Sequence, residues 1–414
     1  MGRDLSAAQS PHPTQRVWHL LGPAFVAAVA YVDPGNVAAN LSAGSRYGYR
    51  LIWVLVLANL MACLVQYLSA KLGIVTGRSL PQLIADHTSR PARLAFWVQA
   101  EAVAVATDIA EVVGGALALH LLFGLPLIVG GIVTAAGSMG LLAVQSRRGQ
   151  RTFEFVVTGL LVVITGGFLA GLFVSPVSPS GLASGLVPSF AGPDSVLLAA
   201  SMLGATVMPH AVYLHSSLTR DRHGPVQGPA LRSHLLKATR WDVVIALLLA
   251  GGVNIAMLVL AAASLPGASG TDSIEGAHSV IVQTLGPGIG MVFAIGLLAS
   301  GLASTSVGCY AGSEVMEGLL MVRLPLLVRR AVTAVPALIV LALGSSPTWA
   351  LVISQVILSF GIPFALVPLV VLTSRRGLMG SEVNRPATVV VSWVVTGAIV
   401  ALNVTLLYQT LTGA

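Results

Sequence analysis

Charge is what this sequence has least of. Asp, Glu, Lys and Arg supply 9% of its 414 residues, against roughly a quarter in an ordinary soluble domain. That shortage, with a mean hydropathy of +0.88, excludes a water-exposed globule. Cysteine is nearly absent too. Cys63 and Cys309 are the two cysteines, and each lies inside an apolar stretch. They read as small buried hydrophobes, with no disulfide framework or cysteine metal pair. No polar stretch is long enough for an appended soluble domain. The longest, Thr219 to Thr239, reads as a cytosolic loop with a Gly/Pro segment, HGPVQGP. The opening residues lack the apolar core and small-residue cleavage site of a signal peptide, so 1–19 are expected to form a cytosolic N-terminal tail.

What the chain does have is apolar stretches of about 20 residues, each long enough to cross a bilayer. Eleven are predicted: 20–45, 51–75, 94–120, 124–145, 153–174, 194–219, 241–265, 288–318, 326–344, 348–373 and 387–410. Threading the chain through eleven spans puts twenty of the 22 Lys and Arg on one side, with Arg46 and Arg50 opposite. Positive charge stays cytosolic, so the N-terminus is expected inside and the C-terminus outside. The basic balance of +7 therefore reflects topology and attraction to anionic lipid, with no nucleic-acid partner implied.

Two of these spans are interrupted. The first carries AVAYVDPGNVAAN, with Asp33, Pro34, Gly35 and Asn36 in succession, and the sixth carries LGATVMPHAVYLHSS, with Met208, Pro209 and His210. Proline removes a backbone donor, glycine relaxes the chain, and each break frees carbonyl oxygens that hydrocarbon cannot satisfy. Five spans separate the breaks, which makes two oppositely oriented repeats, 20–175 and 194–373, with 387–410 as an eleventh helix. Paired broken helices in corresponding positions point to the midplane site of a secondary transporter. The half-helices ending near Ala30 and Ala205 aim negative dipole ends at the gap, which favours a cation.

Asp33 at that depth needs a partner, and no basic residue lies level with it; a bound cation would serve. Helix capping is the competing role, because Asp before Pro is a common helix start. Met208 separates cation classes. Mg²⁺ and Ca²⁺ want oxygen alone, whereas softer divalent transition metals accept a thioether beside carboxylate and amide oxygens. A methionine in a membrane helix is otherwise packing.

The segments DPGN at 33–36 and ATVMPH at 205–210 together resemble the paired signatures of the Nramp family of proton-coupled divalent-metal transporters, and the resemblance extends over all eleven spans. It implies an all-α membrane protein with a fold similar to the leucine transporter, an inverted five-plus-five helix repeat with helices 1 and 6 unwound at mid-membrane. It further implies import of Mn²⁺ and Fe²⁺ with protons by alternating access, in a prokaryotic plasma membrane, by a transporter and not an enzyme. Carried over by position, Asp33, Asn36 and Met208 would ligate the metal by side chain and Ala30 and Ala205 by backbone carbonyl. Gln355, in SQVILSFGIPFALVP, matches a position that approaches the metal in the occluded state. No resident cofactor is implied, and a monomer is expected.

The third span carries Glu101, Asp108 and Glu111 at spacings of seven and three, which share one helical face. Three carboxylates cannot all face lipid. They line a polar route, pair with bases, or share protons. Arg329 and Arg330, at the start of the ninth span, are the available bases. By the same resemblance these acids and the arginine pair belong to an outward-to-inward proton route that begins at Asp33. His210 is expected beside the site, with a hydrogen-bonding and gating role favoured over proton carriage because a helix N-terminus disfavours imidazolium. His215 is open between packing and function, and Asn59, Gln66 and Asn254 are expected to bond between helices.

Three other readings fit less well. A sodium-coupled amino-acid transporter of this fold would set helix N-termini against a carboxylate, which Asp33 would repel. An intramembrane metallohydrolase would want histidines at i, i+4 with a glutamate between, and HAVYLH offers i, i+5 with none. A non-transporting metal sensor would want an appended signalling domain.

Overall fold

The structure is a computed structural model that describes residues 22–224, 226, 228–265 and 273–412. The expected tail at 1–19 lies outside them. The described residues are helical, with no strand among them. In chain order the helices are α1 (Pro23–Ala30), α2 (Pro34–Tyr47), α3 (Ile52–Thr76), α4 (Leu80–His87), α5 (Arg90–Phe123) and α6 (Leu127–Arg148). There follow α7 (Gln150–Leu169), α8 (Pro179–Gly185), α9 (Pro193–Thr206), α10 (Pro209–His223), α11 (Pro229–Ser264) and α12 (Ile274–Leu285). The last are α13 (Pro287–Leu320), α14 (Leu326–Ala342), α15 (Pro347–Thr373), α16 (Arg376–Met379) and α17 (Pro386–Thr412).

Every predicted span is occupied by helix. Eight helical segments among the described residues are long and apolar enough to cross a membrane, one of them, Pro193–His223, containing the second break. The others are short for clear reasons. α14 has 17 residues, α6 keeps its apolar part within Leu127–Ala143, and α1 stops after 8 residues at the first break. α4, α8 and α12 were not expected as helices. The stretch 219–239, expected as a loop, is mostly helix: α10 runs on to His223 and α11 begins at Pro229. Basic residues in the last turn of α10 suit the dipole there, and Pro229 is preset for a first helical position.

The exterior is apolar, and the interior combines an apolar core with buried polar and charged side chains. Asp33, Asn36, Glu111 and Arg330 are wholly buried, while Phe155, Phe173, Val332 and Leu407 are at least half exposed. An apolar exterior around a polar centre is what hydrocarbon solvent selects. The packing partners also repeat. α3 packs on α10 as α11 packs on α2, α3 on α9 as α11 on α1, and α15 on α5 as α7 on α13. Exchanging the first five spans for the second five maps each pair onto its counterpart, the pattern of an inverted repeat.

Small residues let the central helices approach closely, since hydrocarbon offers no hydrophobic drive between helices. α5 and α13 meet at Gly115 and Gly301, where a Cβ on Gly301 would lie 3.0 Å from the Gly115 nitrogen and 3.1 Å from the Glu111 carbonyl oxygen. Neither backbone atom can turn aside. Gly301→Leu should destabilise the protein by about 1–3 kcal/mol or more, read as a lower melting temperature in detergent. An unchanged melting temperature would show that α5 and α13 do not pack this closely.

Candidate functional site at the two helix breaks

Each break follows from a proline. α1 ends at Ala30, Tyr31–Asp33 are non-helical, and α2 starts with Pro34 at its first position. α9 ends at Thr206, and α10 starts with Pro209 after Met208. The gaps therefore sit just before the residues that mark them: Pro34, Gly35 and Asn36, with Pro209 and His210, belong to the second half-helices. The residues four before Pro34 and Pro209 are Ala30 and Ala205. A proline cannot donate to the carbonyl four residues back, so both carbonyls lose their helical partner.

The loosened backbone is held by side chains from elsewhere. Asn254 Nδ2 on α11 donates to the Tyr31 carbonyl (2.7 Å) and the Ser300 hydroxyl on α13 to the Val32 carbonyl (2.5 Å). Asn40 Nδ2 donates to Asn254 Oδ1 (3.0 Å), fixing that amide. Across the site, Asn36 Nδ2 donates to the Ala205 carbonyl at 2.8 Å, which joins the two breaks directly. No donor reaches the Ala30 carbonyl among the described residues.

Asp33 is the N-cap of α2. Its Oδ1 accepts from the Asn36 backbone N–H (2.7 Å) and from Asn36 Nδ2 (3.0 Å), and its Oδ2 accepts from Gln355 Nε2 of α15 (3.1 Å). Capping is thus real, yet it uses only Oδ1. The close approach of Gln355 requires Gly35, where any Cβ would fall on the Gln355 amide. The other oxygens of both amides, Asn36 Oδ1 and Gln355 Oε1, are buried without a partner. Leaving such acceptors unpaired costs about 1–3 kcal/mol each. Met208 sits at the N-cap of α10, about 1% exposed. Asp33, Asn36, Gln355 and Ala205 are therefore joined by hydrogen bonds, with Ala30 and Met208 at the two break edges. The donor set is one carboxylate, two amides, backbone carbonyls and a thioether; no cluster of three His, Cys, Asp or Glu occurs among the described residues.

The carboxylates of α5 form a second group. Arg329 donates to both oxygens of Glu101 (2.9 Å each), and Arg330 donates to Asp108 Oδ1 (2.8 Å) and Ser138 Oγ (2.8 Å). Both arginines are buried, and the ion-pair network expected between them and the third-span acids is present for Glu101 and Asp108. Glu111 has no base of its own. Ser304 lies beside it, but that hydroxyl is committed to the Ser300 carbonyl (2.7 Å). Asp108, Arg330 and Asp33 all act electrostatically on Glu111, which links the two groups. His210 Nδ1 of α10 lies 3.5 Å from Thr107 Oγ1 of α5, and its Nε2 is unpartnered.

Sequence reasoning missed a hydrogen-bond chain below the first break, in which Gln66 Nε2 donates to the Tyr31 hydroxyl (2.5 Å) and Gln66 Oε1 meets His215 Nδ1 (2.7 Å). Gln66 and Asn254 bond between helices as expected, whereas Asn59 Oδ1 has no partner. At the far end of α1, the backbone N–H groups of Gly22 and Ala24 donate to Asp242 of α11 (3.1 and 3.0 Å). The ion pair Arg222–Glu154 stands beside Gly22.

Fold and site together define a helical membrane protein of the inverted-repeat class, with a polar centre at two broken helices. The family model for natural resistance-associated macrophage protein-like proteins, Nramp, matches residues 24–409, and the chain belongs to that family. It is 60% identical over 397 residues to the divalent metal cation transporter MntH of Mycobacterium tuberculosis H37Rv, covering 96% of this chain and 92% of that one. Against the MntH of Bacillus subtilis 168 the identity is 47% over 394 residues, covering 94% and 92%. Among solved structures, a manganese transporter of Eremococcus coleocola crystallised with an aromatic bis-isothiourea compound superposes with a TM-score of 0.85 at 32% identity, covering 98% of this chain and 90% of that one.

Arg330 is wholly buried and Asp108 3% exposed. Removing one member of such a pair strands the other charge, at about 3–5 kcal/mol. Arg330→Met should therefore unfold at markedly lower temperature, and Arg330→Met/Asp108→Leu should regain most of the loss. Additive losses in the double variant would mean that the pair is not coupled.

Proposed function

We propose that this chain imports a divalent transition metal ion, Mn²⁺ or Fe²⁺, together with protons, by alternating access across a prokaryotic plasma membrane. The observation that carries this reading is the pair of unpartnered amide oxygens, Asn36 Oδ1 and Gln355 Oε1, attached to the two side chains that hydrogen-bond Asp33 at the junction of the breaks. A cation supplies what these acceptors lack. The names of the relatives and of the solved structure, metal cation and manganese transporters, support the same substrate class.

In this reading Asp33, Asn36, Met208 and Gln355 ligate the ion by side chain, and Ala30 and Ala205 by carbonyl. The amide of Asn36 that occupies the Ala205 carbonyl gives way to the metal. Sulfur from Met208 favours a transition metal over Ca²⁺, which gains little from a thioether. Every proposed ligand comes from one chain, so a monomer suffices.

Metal binding displaces a proton from Asp33. That proton passes by way of Glu111 and Asp108 towards the cytosol, with Glu101, Arg329 and Arg330 holding the route and His210 at its upper edge. Glu111 is the natural relay, because it alone of the three α5 acids has no arginine on it. The sorting of Lys and Arg between the two sides supports an N-terminus inside and a C-terminus outside.

Proteoliposomes test each part. Wild-type protein should take up Mn²⁺ with acidification of the lumen and should ignore a panel of amino acids. Asp33→Ala should cut Mn²⁺ uptake by about a hundredfold or more, the scale of losing a well-placed metal partner. Met208→Ala should gain Ca²⁺ uptake; an unchanged preference would remove sulfur as the selectivity element. Asp108→Asn should abolish metal-driven acidification, and intact acidification would put the proton elsewhere.

A further inference from the structure

Two more prolines, Pro363 and Pro368, lie inside α15, the helix that carries Gln355. Each deprives the carbonyl four residues earlier of its helical donor, here Ser359 and Phe364. Both are supplied from other helices. The Tyr213 hydroxyl of α10 donates to the Phe364 carbonyl (3.2 Å), and Asn403 Nδ2 of α17 donates to the Ser359 carbonyl (2.8 Å).

The Asn403 contact is the more elaborate. The Ser359 hydroxyl lies 2.7 Å from Asn403 Oδ1 and 2.8 Å from the Val356 carbonyl, so the amide engages both polar groups of one residue. Ser359 is wholly buried and Asn403 5% exposed, and water has little access to substitute. Ser359 stands four residues after Gln355, one turn along the same face. α9 packs on this turn at Gly204, where a Cβ would meet the Gln355 carbonyl and lie 2.8 Å from the Ser359 nitrogen. The turn 355–359 is thereby clamped, with Gly204 on one side and Asn403 on another.

We infer that Asn403 is a positioning residue of the site: by replacing the backbone donor that Pro363 lacks, it fixes the turn from which Gln355 reaches Asp33. The eleventh helix is then part of the apparatus that sets Gln355, and α15 keeps its proline without losing a defined shape. This inference rests on the reading of Gln355 as a metal ligand given above.

Asn403→Leu removes the donor, and Asn403→Ser, too short to reach, carries the test should the leucine variant not fold. In proteoliposomes the loss of this buried bond should raise the apparent KM for Mn²⁺ about tenfold. In a Gln355→Ala background the same change should add less than about twofold, since a residue acting through Gln355 has nothing left to act on. Pro363→Ala, which restores a backbone N–H, should recover the KM of Asn403→Leu. Hydrogen exchange across 355–363 should accelerate in Asn403→Leu and return to the wild-type rate with Pro363→Ala added. Additive effects with Gln355→Ala, or unchanged exchange, would overturn the inference. A wild-type chain that moves no Mn²⁺ would overturn the transport reading instead, and the exchange comparison alone would then decide whether Asn403 holds the turn.

Discussion

A backbone carbonyl that loses its helical donor inside a membrane has no water to turn to. That constraint runs through this protein. Around the broken helices and α15, prolines at 34, 209, 363 and 368 orphan the carbonyls of Ala30, Ala205, Ser359 and Phe364, as Pro336 does that of Val332 on the exposed side of α14. Three of the four are served by side chains from distant parts of the chain: Asn36, Asn403 and Tyr213. The fourth, Ala30, stands at the edge of the gap that Asp33 closes. Two of the four, Ala30 and Ala205, lie at the junction of the broken helices, and the other two lie along α15.

The same logic divides the ionisable residues. Glu101 and Asp108 are matched to Arg329 and Arg330 and brace α5 against α14. Asp33 and Glu111 form no ion pair among the described residues. A structural ion-pair network and a proton route were alternatives at the level of sequence. The structure contains the network, and the two unmatched acids are what make a route possible beside it.

Much of this was legible in the residues. DPGN and VMPH, seen as breaks in otherwise apolar spans, located the two helix breaks, because proline's effect on a helix is local. The breaks fall slightly earlier than the motifs suggested, since proline is favoured at the first position of the following helix. Cys309 is buried as expected, whereas Cys63 is only partly buried. What the sequence could not give is the identity of the rescuing donors. Asn36 and Ala205 are 169 residues apart, and Asn254 and Tyr31 are 223 apart; nothing local couples them. Counting back four residues from each membrane proline would have named the orphaned carbonyls, though not their partners. Arg329 and Arg330 were counted among the cytosolic charges and also named as bases for the third-span acids; packing shows which acid each one meets, Glu101 and Asp108.

The central claim is that the two broken helices jointly hold a metal ion by oxygen and sulfur. Anomalous diffraction from crystals grown with Mn²⁺ tests it most directly. The account predicts a single strong peak in bonding contact with the Asp33 carboxylate and the Met208 sulfur, with the Asn36 amide turned off the Ala205 carbonyl. A peak elsewhere in the membrane, or a metal held at Asp33 with Met208 pointing away, would contradict it.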